Sequence, residues 1–271
     1  MSASALGEFQ TVREKGWRRG LGNLLQGEYS AWFKSSKWWK HLAMWFSIIN
    51  VMMIILIIAN SKIVQEGGEM PDPIFMYGIF GGMFVAFGVM VIMQRVLIGE
   101  KHAGTAAWVL SKPVTRTAFV TSRLIVNSIA ILLTSVIVPG VIFYITLGLS
   151  ATGWLSPLGY IVGLLMISLH TFFWIALVWM MGTLFESSAM AIGIPMALYF
   201  VLWMGSGTFP WLVYVSPLLL SFSPAPEQMN ALSVSFMLGE PVFSWIPLIV
   251  TAAYCVIFVA VAILRFNRQE F

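Results

Sequence analysis

Chemistry at a protein site usually begins with His, Cys, Asp or Glu. This sequence holds three histidines (His41, His102 and His170), one cysteine (Cys255) and eleven acidic residues. The histidines lie far apart, with none of the paired spacing a metal site needs. His102 falls in a polar stretch and reads as solvated. His170 sits within the apolar "ISLHTFFW", where an ionisable group is costly; it reads as a neutral histidine bonded to a neighbouring helix. Cys255 excludes an internal disulfide and any CxxC motif, and reads as a small hydrophobe. Glu66, Glu69 and Asp72 cluster in "EGGEMPDP", which is more simply a solvated turn than a set of catalytic carboxylates. Methionine is abundant, yet Met52/Met53, Met90/Met93 and Met180/Met181 make no repeated MxxM array, so they read as gap fillers rather than copper ligands. A metal centre and a membrane-embedded enzyme both lack their parts.

The richest polar pattern is "IGEKHAGTAAWVLSKPVTRTAF", from Ile98 to Phe119, between two long apolar runs. A short helix is expected over Glu100–Leu110, with Glu100 near its positive N-terminal end. Pro113 forbids continuation. Thr115 is placed to cap a second helix that continues through Arg123 into the next apolar run. This helix–break–helix should expose Lys112 and Arg116 near the break and carry Trp108 on a helix. A solvated loop needs no such order. An apolar-faced helix tipped with charge suits a docking surface for another protein; a helix lying against lipid is the competing reading.

The elements that hold this segment follow from composition. Of 271 residues, 59% are hydrophobic and only 10% are charged, with a mean hydropathy of +0.88. A soluble domain carries about 25% charged residues, so this chain must be solvated by lipid. Six apolar runs have the length of a membrane span: Leu42–Asn60, Ile74–Ile98, Leu124–Leu149, Pro157–Leu184, Ala189–Ser206 and Trp245–Leu264. The first begins behind about 40 largely polar residues, so it is expected to stay as an anchor rather than act as a cleaved signal. Pro139 and Pro195 fall inside spans, where packed neighbours can satisfy the freed carbonyls.

Lysine and arginine set the expected orientation. Arg13, Lys15, Arg18, Arg19, Lys34, Lys37 and Lys40 precede span one. Arg95 at the end of span two and Lys101, Lys112, Arg116 and Arg123 after it lie on the side of the link to span three, and Arg265 and Arg268 follow the last span; Lys62 alone falls on the other side. Both termini and the Ile98–Phe119 segment are therefore expected in the cytoplasm. Residues 1–41 read as a cytoplasmic tail and interfacial helix. Within "LGNLLQGEYSAWFKSSKWWKHLAMW" (21–45), Trp32, Trp38, Trp39 and Trp45 are interleaved with Lys34, Lys37 and Lys40, which suits the lipid headgroup level. Residues 209–244 contain apolar pieces too short to cross, interrupted by Pro217, Pro224, Pro226 and Pro241. They are expected to form short re-entrant helices on the extracytoplasmic side before the last span, with an ordinary extracellular cap as the competing reading. No internal repeat is evident, which argues against an inverted-repeat carrier. The spans carry almost no Asp, Glu, Lys or Arg, which argues against an ion-coupled carrier.

The stretch "GEKHAGTAAWVLSKPVTRTAFVTSRLI" (99–125) resembles the motif of ABC-2-type transporter permeases. Glu100, Gly104, Thr105, Leu110, Pro113, Arg116, Phe119 and Arg123 occupy the family's positions. Arg123 is a departure, since the family commonly has lysine near that position. The six-span layout, interfacial helix and re-entrant pieces are similar too. The resemblance implies an all-α integral membrane protein with a single transmembrane domain over residues 1–271, multi-pass in a prokaryotic cytoplasmic membrane. It implies that residues 99–123 form a coupling segment seated on a cytoplasmic ABC ATPase, with two ATPase subunits and a second permease copy in the complex. Glu100, Gly104, Thr105, Trp108, Lys112, Pro113 and Arg116 are then the partner-coupling residues. Glu186, in the turn "LFESSAM", is either a second contact or a cap for span five. The chain lacks GxxxxGK[ST], so ATP and Mg belong to the partner ATPase and no cofactor is expected here. A substrate path is expected between the copies along spans two and five, with Met83, Phe87, Met90, Tyr199, Trp203 and Met204 as its wall. Such a wall favours an exported amphipathic, lipid-like, peptide or drug-like substrate. Membrane lipid is the other expected partner, and nucleic acid is not.

Overall fold

A computed structural model describes residues 15–65, 72–150, 152–224 and 229–269. Arg13, Glu66, Glu69 and Pro226 lie outside the described residues. Six helices are long and apolar enough to cross a membrane: α2 (Lys37–Ile63), α3 (Pro73–His102), α5 (Arg116–Gly148), α6 (Pro157–Leu184), α7 (Ser188–Thr208) and α10 (Ile246–Asn267). Between them lie α1 (Leu21–Phe33), α4 (Thr105–Leu110), α8 (Trp211–Val215) and α9 (Leu232–Leu238). Each sequence-predicted span falls within or close to one of the six helices. Most of the helices run further: α3 and α5 start at the polar caps Asp72 and Thr115, while α2, α7 and α10 extend without a side-chain cap. Asp72 accepts a hydrogen bond from the Ile74 amide at 2.6 Å, ahead of Pro73. Ser156 likewise caps α6 ahead of Pro157. Asp72 thus holds a helix start rather than a solvated turn.

The helix α6 is the hub. Its most apolar window is 61% buried, against 22% for α2, α7 and α10, so those three form the outer faces. At 28 residues it is about 42 Å long, more than the hydrocarbon alone requires. It packs against α10, α9 and α3, and Trp174 and Trp179 are fully enclosed. Three spans contain a wide π turn, at Phe46–Val51, Phe80–Phe84 and Leu133–Ile137. The last of these precedes Pro139, whose ring would crowd the carbonyl of Ser135 in a regular helix.

The segment before the last span folds as short helices, as expected from its prolines. Pro217–Leu220 form a 3₁₀ turn between α8 and α9, and these residues are buried. The Pro217 carbonyl meets Nδ1 of His170 at 2.9 Å. His170 lies about 20 Å along α6 from its start, so the segment reaches the middle of the hub helix. Ser221 donates to the Gly78 carbonyl of α3 at 2.8 Å and accepts nothing bulkier than glycine there: a Cβ at Gly78 or Gly82 would strike Ser221. His170 also accepts from Trp174 Nε1 at 3.2 Å, so both its nitrogens are engaged. It is a structural histidine, consistent with the reading from its apolar neighbours.

At the other end of the bundle the expected amphipathic run 21–45 is divided. The helix α1 ends at Phe33, residues 34–36 turn, and α2 starts at Lys37. Trp38 and Trp39 are exposed, but Trp32 and Trp45 are buried in protein rather than set at a headgroup layer. Trp45 donates to His41 Nε2 at 3.3 Å, and His41 Nδ1 meets Thr134 Oγ1 at 2.6 Å.

Candidate functional site

The polar segment after α3 begins with a helix stop that the sequence reading missed. Glu100–Leu110 is not one helix: α3 ends at His102, and Gly104 takes φ +69° before α4 starts at Thr105. Only glycine adopts this conformation without strain. Glu100 therefore lies at the C-terminal end of a long helix, not the N-terminal end of a short one. Thr105 Oγ1 donates to the Glu100 carbonyl across the break at 3.2 Å. In α4 Ala106 is buried, Val109 and Leu110 are half-buried, and Trp108 points outward, 63% exposed. The Lys112 ammonium lies 3.6 Å from the Trp108 ring centroid. Together they form a cation–π tip beside the exposed Pro113.

Thr115 caps α5 as its position predicts, accepting from the Ala118 amide at 3.1 Å. Its hydroxyl also donates to the Trp17 carbonyl at 2.5 Å, and its amide donates to the Arg19 carbonyl at 3.1 Å. One residue thus joins the chain's first described turn to the start of span three.

Behind this tip lies a buried junction centred on Arg123. Its Nε bonds Glu100 Oε2 at 2.5 Å and its NH1 pairs with Glu28 Oε1 at 3.0 Å. The guanidinium carbon lies 4.0 Å from the Phe119 ring centroid. The Arg123 side chain is 7% exposed, and those of Glu28 and Glu100 are 18% and 25% exposed. Asn127 continues the chain of bonds, donating to the Arg123 carbonyl at 2.8 Å and accepting from Trp32 Nε1 at 2.6 Å. Three helices are thereby locked: α1 through Glu28 and Trp32, α3 through Glu100, and α5 through Arg123 and Asn127. An arginine fork holds two carboxylates at once, which the point charge of a lysine does less well. This gives a physical reason for the departure at position 123.

A second support comes from the ends of other helices. Lys101 Nζ donates to the Gly182 carbonyl at 2.9 Å, and His102 Nε2 meets the Glu186 carbonyl at 3.1 Å. Lys101 thus serves a carbonyl of the last turn of α6, which has no partner within the helix. The Glu186 carboxylate is exposed beside the segment, while Ser187 holds the N-cap position of α7 without a side-chain bond. Arg116 is half-buried rather than free at the surface: its NH1 donates to the Asn267 carbonyl at the end of α10, 2.9 Å away. Basic groups at both helix ends also oppose the negative end of the dipole.

The eight residues expected at a partner contact are therefore gathered at one end of the bundle but do different work. Trp108, Lys112, Pro113 and Glu186 face outward; Glu100 and Arg116 point into the protein as ties. Gly104 and Thr105 shape the break. Sequence reasoning missed Glu28 and Asn127 and placed Trp32 at the headgroup level instead of in this junction. A signal for Glu28 was present, since it is the one acid between Lys15 and Gln65. The residues expected along the substrate path separate into two sets. Phe87 and Tyr199 touch, with ring centroids 4.6 Å apart, and Met90 and Tyr199 are fully buried. Met83 is half-buried, whereas Trp203 and Met204 are exposed on α7. The buried Tyr199 hydroxyl has no hydrogen-bond partner among the described residues. No group of three His, Cys, Asp or Glu able to hold a metal occurs among the described residues.

Six long apolar helices define a multi-pass membrane protein, with a helix–turn–helix at one end of them. The chain belongs to the ABC-2 family transporter proteins, whose family match spans residues 92–271. It is thus a membrane permease, a non-catalytic transmembrane subunit, and ABC-2 permeases pair with ATPase subunits. No curated protein matches the chain.

Proposed function

We propose that this permease is the transmembrane half of an ATP-driven exporter, in which two copies pair with two cytoplasmic ABC ATPases that bind the ATP and Mg. The observation that carries this reading is the Arg123 junction: it makes the outward tip of Trp108, Lys112 and Pro113 continuous with α1, α3 and α5. Closure of the ATPases pushes the tip. Because Glu28, Glu100 and Arg123 leave the segment no independent freedom, the push moves these helices as a body. The spans α3 and α7 then shift against the second copy. Docking residues are Trp108, Lys112 and Pro113, with Glu186 as a second contact. Glu100, Gly104, Thr105 and Arg116 are positioning residues.

The path lies along α3 and α7 between the two copies. Phe87, Trp203 and Met204, with Met83 near by, supply an apolar and aromatic wall, and Met90 and Tyr199 back it. That chemistry fits an amphipathic substrate, whether lipid-like, peptide or drug-like, better than a sugar or a free ion. The basic end of the bundle faces the cytoplasm by the distribution of Lys and Arg.

The test is ATP hydrolysis in vesicles that hold the permease and its ATPase. Lys112→Glu combined with Trp108→Ala should abolish stimulation of hydrolysis by the permease while leaving the permease folded. Charge reversal at Arg116 should also lower it, through loss of the tie to α10. Stimulation and transport that survive these changes would refute the coupling assignment.

A further inference from the structure

A groove of about 500 Å³ lies between the start of α2, the last third of α3 and the Asn127 region of α5. The mechanism above does not use it. Met44, Val91 and Ile92 line it with apolar surface, and Met44 and Val91 are 40% and 39% exposed. Lys37, Lys40 and Arg95 edge it, all exposed. None of the three forms a salt bridge with a described residue, and no acid lines the groove. Three like charges gathered over an apolar floor repel one another and attract an anion. Both walls belong to membrane-spanning helices, at the end where basic residues gather. Trp32 and Asn127 close the back of the groove, and their hydrogen bond is part of the Arg123 junction.

We infer that this groove binds one anionic phospholipid. Its phosphate sits among Lys37, Lys40 and Arg95, and the first part of its acyl chains lies on Met44, Val91 and Ile92. A zwitterionic lipid would leave the cations unmatched. A free anion would leave the apolar floor in contact with water. The volume is in the range of about 300–1,000 Å³ typical of specific ligand sites, enough for a headgroup and the adjoining methylenes. The charge pattern is that of basic pockets between spans that hold acidic lipid headgroups.

The test is native mass spectrometry of the full-length chain in neutral detergent, titrated with phosphatidylglycerol and with phosphatidylcholine of the same acyl chains. The wild type should retain one phosphatidylglycerol per chain far more tightly than phosphatidylcholine. The Lys37→Ala/Lys40→Ala/Arg95→Ala variant should lose about a hundredfold in phosphatidylglycerol affinity, roughly fivefold per cation, with phosphatidylcholine unchanged. Lys34→Ala/Lys62→Ala, which removes cations outside the groove, should retain the lipid. Arg95→Gln alone changes one exposed side chain and should cost about fivefold, which keeps the test decisive if the triple variant misfolds. Equal retention by the groove variants overturns the inference. Full displacement of the lipid by millimolar inorganic phosphate overturns it too, since the groove would then be an anion site without an acyl floor. A photo-crosslinker at position 44 should label lipid; labelling of a polypeptide in its place would equally refute the assignment.

Discussion

Replacing Arg123 by methionine removes the fork and leaves two carboxylates facing each other. Breaking a buried ion pair by deleting one partner costs about 3–5 kcal/mol. The 18% and 25% exposure of Glu28 and Glu100 lets water reach both acids. The expected loss is therefore at the lower end, about 3 kcal/mol. Glu28→Gln should cost only about 1 kcal/mol, because Arg123 keeps its bond to Glu100 and one of two like charges is gone. The charge-free combination Glu28→Gln/Glu100→Gln/Arg123→Met should recover at least half of the Arg123→Met loss, since no unpaired charge remains buried. The assay is equilibrium unfolding of the purified chain in mixed micelles with rising sodium dodecyl sulfate, followed by tryptophan fluorescence. A cost for Arg123→Met below about 0.5 kcal/mol, the range of ordinary surface changes, would refute the reasoning. A charge-free variant less stable than Arg123→Met would refute it as well.

Other positions give separate checks. Gly104→Val forces a β-branched side chain into φ +69°; a Cβ there meets nothing within 4 Å, so the cost is backbone strain of about 1–2 kcal/mol, and Gly104→Asn should cost less. Limited proteolysis around residues 103–105 reads this difference. Thr115→Ala removes the cap of α5 and the tie to Trp17, costing about 1 kcal/mol and raising amide exchange at Ala118 and its neighbours; Thr115→Ser should restore most of the protection. Gly78→Ala drives a methyl group against the Ser221 carbonyl and should destabilise the chain by about 1–3 kcal/mol, seen in the same micelle titration, whereas Gly193→Ala, with open space around it, should not.

The spans were legible because lipid permits little else: a run of about 20 apolar residues becomes a helix, and Thr115 marks the start of span three in a plain residue type. The caps at Asp72–Pro73 and Ser156–Pro157 were equally plain but went unread, the first because the acids around Asp72 suggested a solvated turn. The break at Gly104 was not, although the glycine was visible. A glycine within a short apolar-faced run is tolerated in a helix, and only the contacts that hold Thr105 and Ala106 in place decide for the left-handed turn. The roles of Glu100 and Arg116 were hidden for a different reason. Sequence places a charge near the surface but does not say whether its partner is solvent, another protein or a helix end 151 residues away, as with Arg116 and Asn267. Trp32 and Trp45 misled in the same way: tryptophan beside lysine suits a headgroup layer, yet Asn127 and His41 offer acceptors inside the bundle.

In the proposed coupling, the outward tip of residues 108–113, rather than Glu100 itself, meets the ATPase. Glu100→Lys would break the Arg123 junction and confuse docking with folding, so the direct measurement uses exposed residues. The permease is expressed with its cognate ABC ATPase and purified in detergent, as wild type and as Trp108→Ala/Lys112→Glu. The account predicts a stable complex of two permeases and two ATPases for the wild type. The variant should give a permease of unchanged thermal stability that has lost the ATPase. An ATPase retained in full by the variant would contradict it.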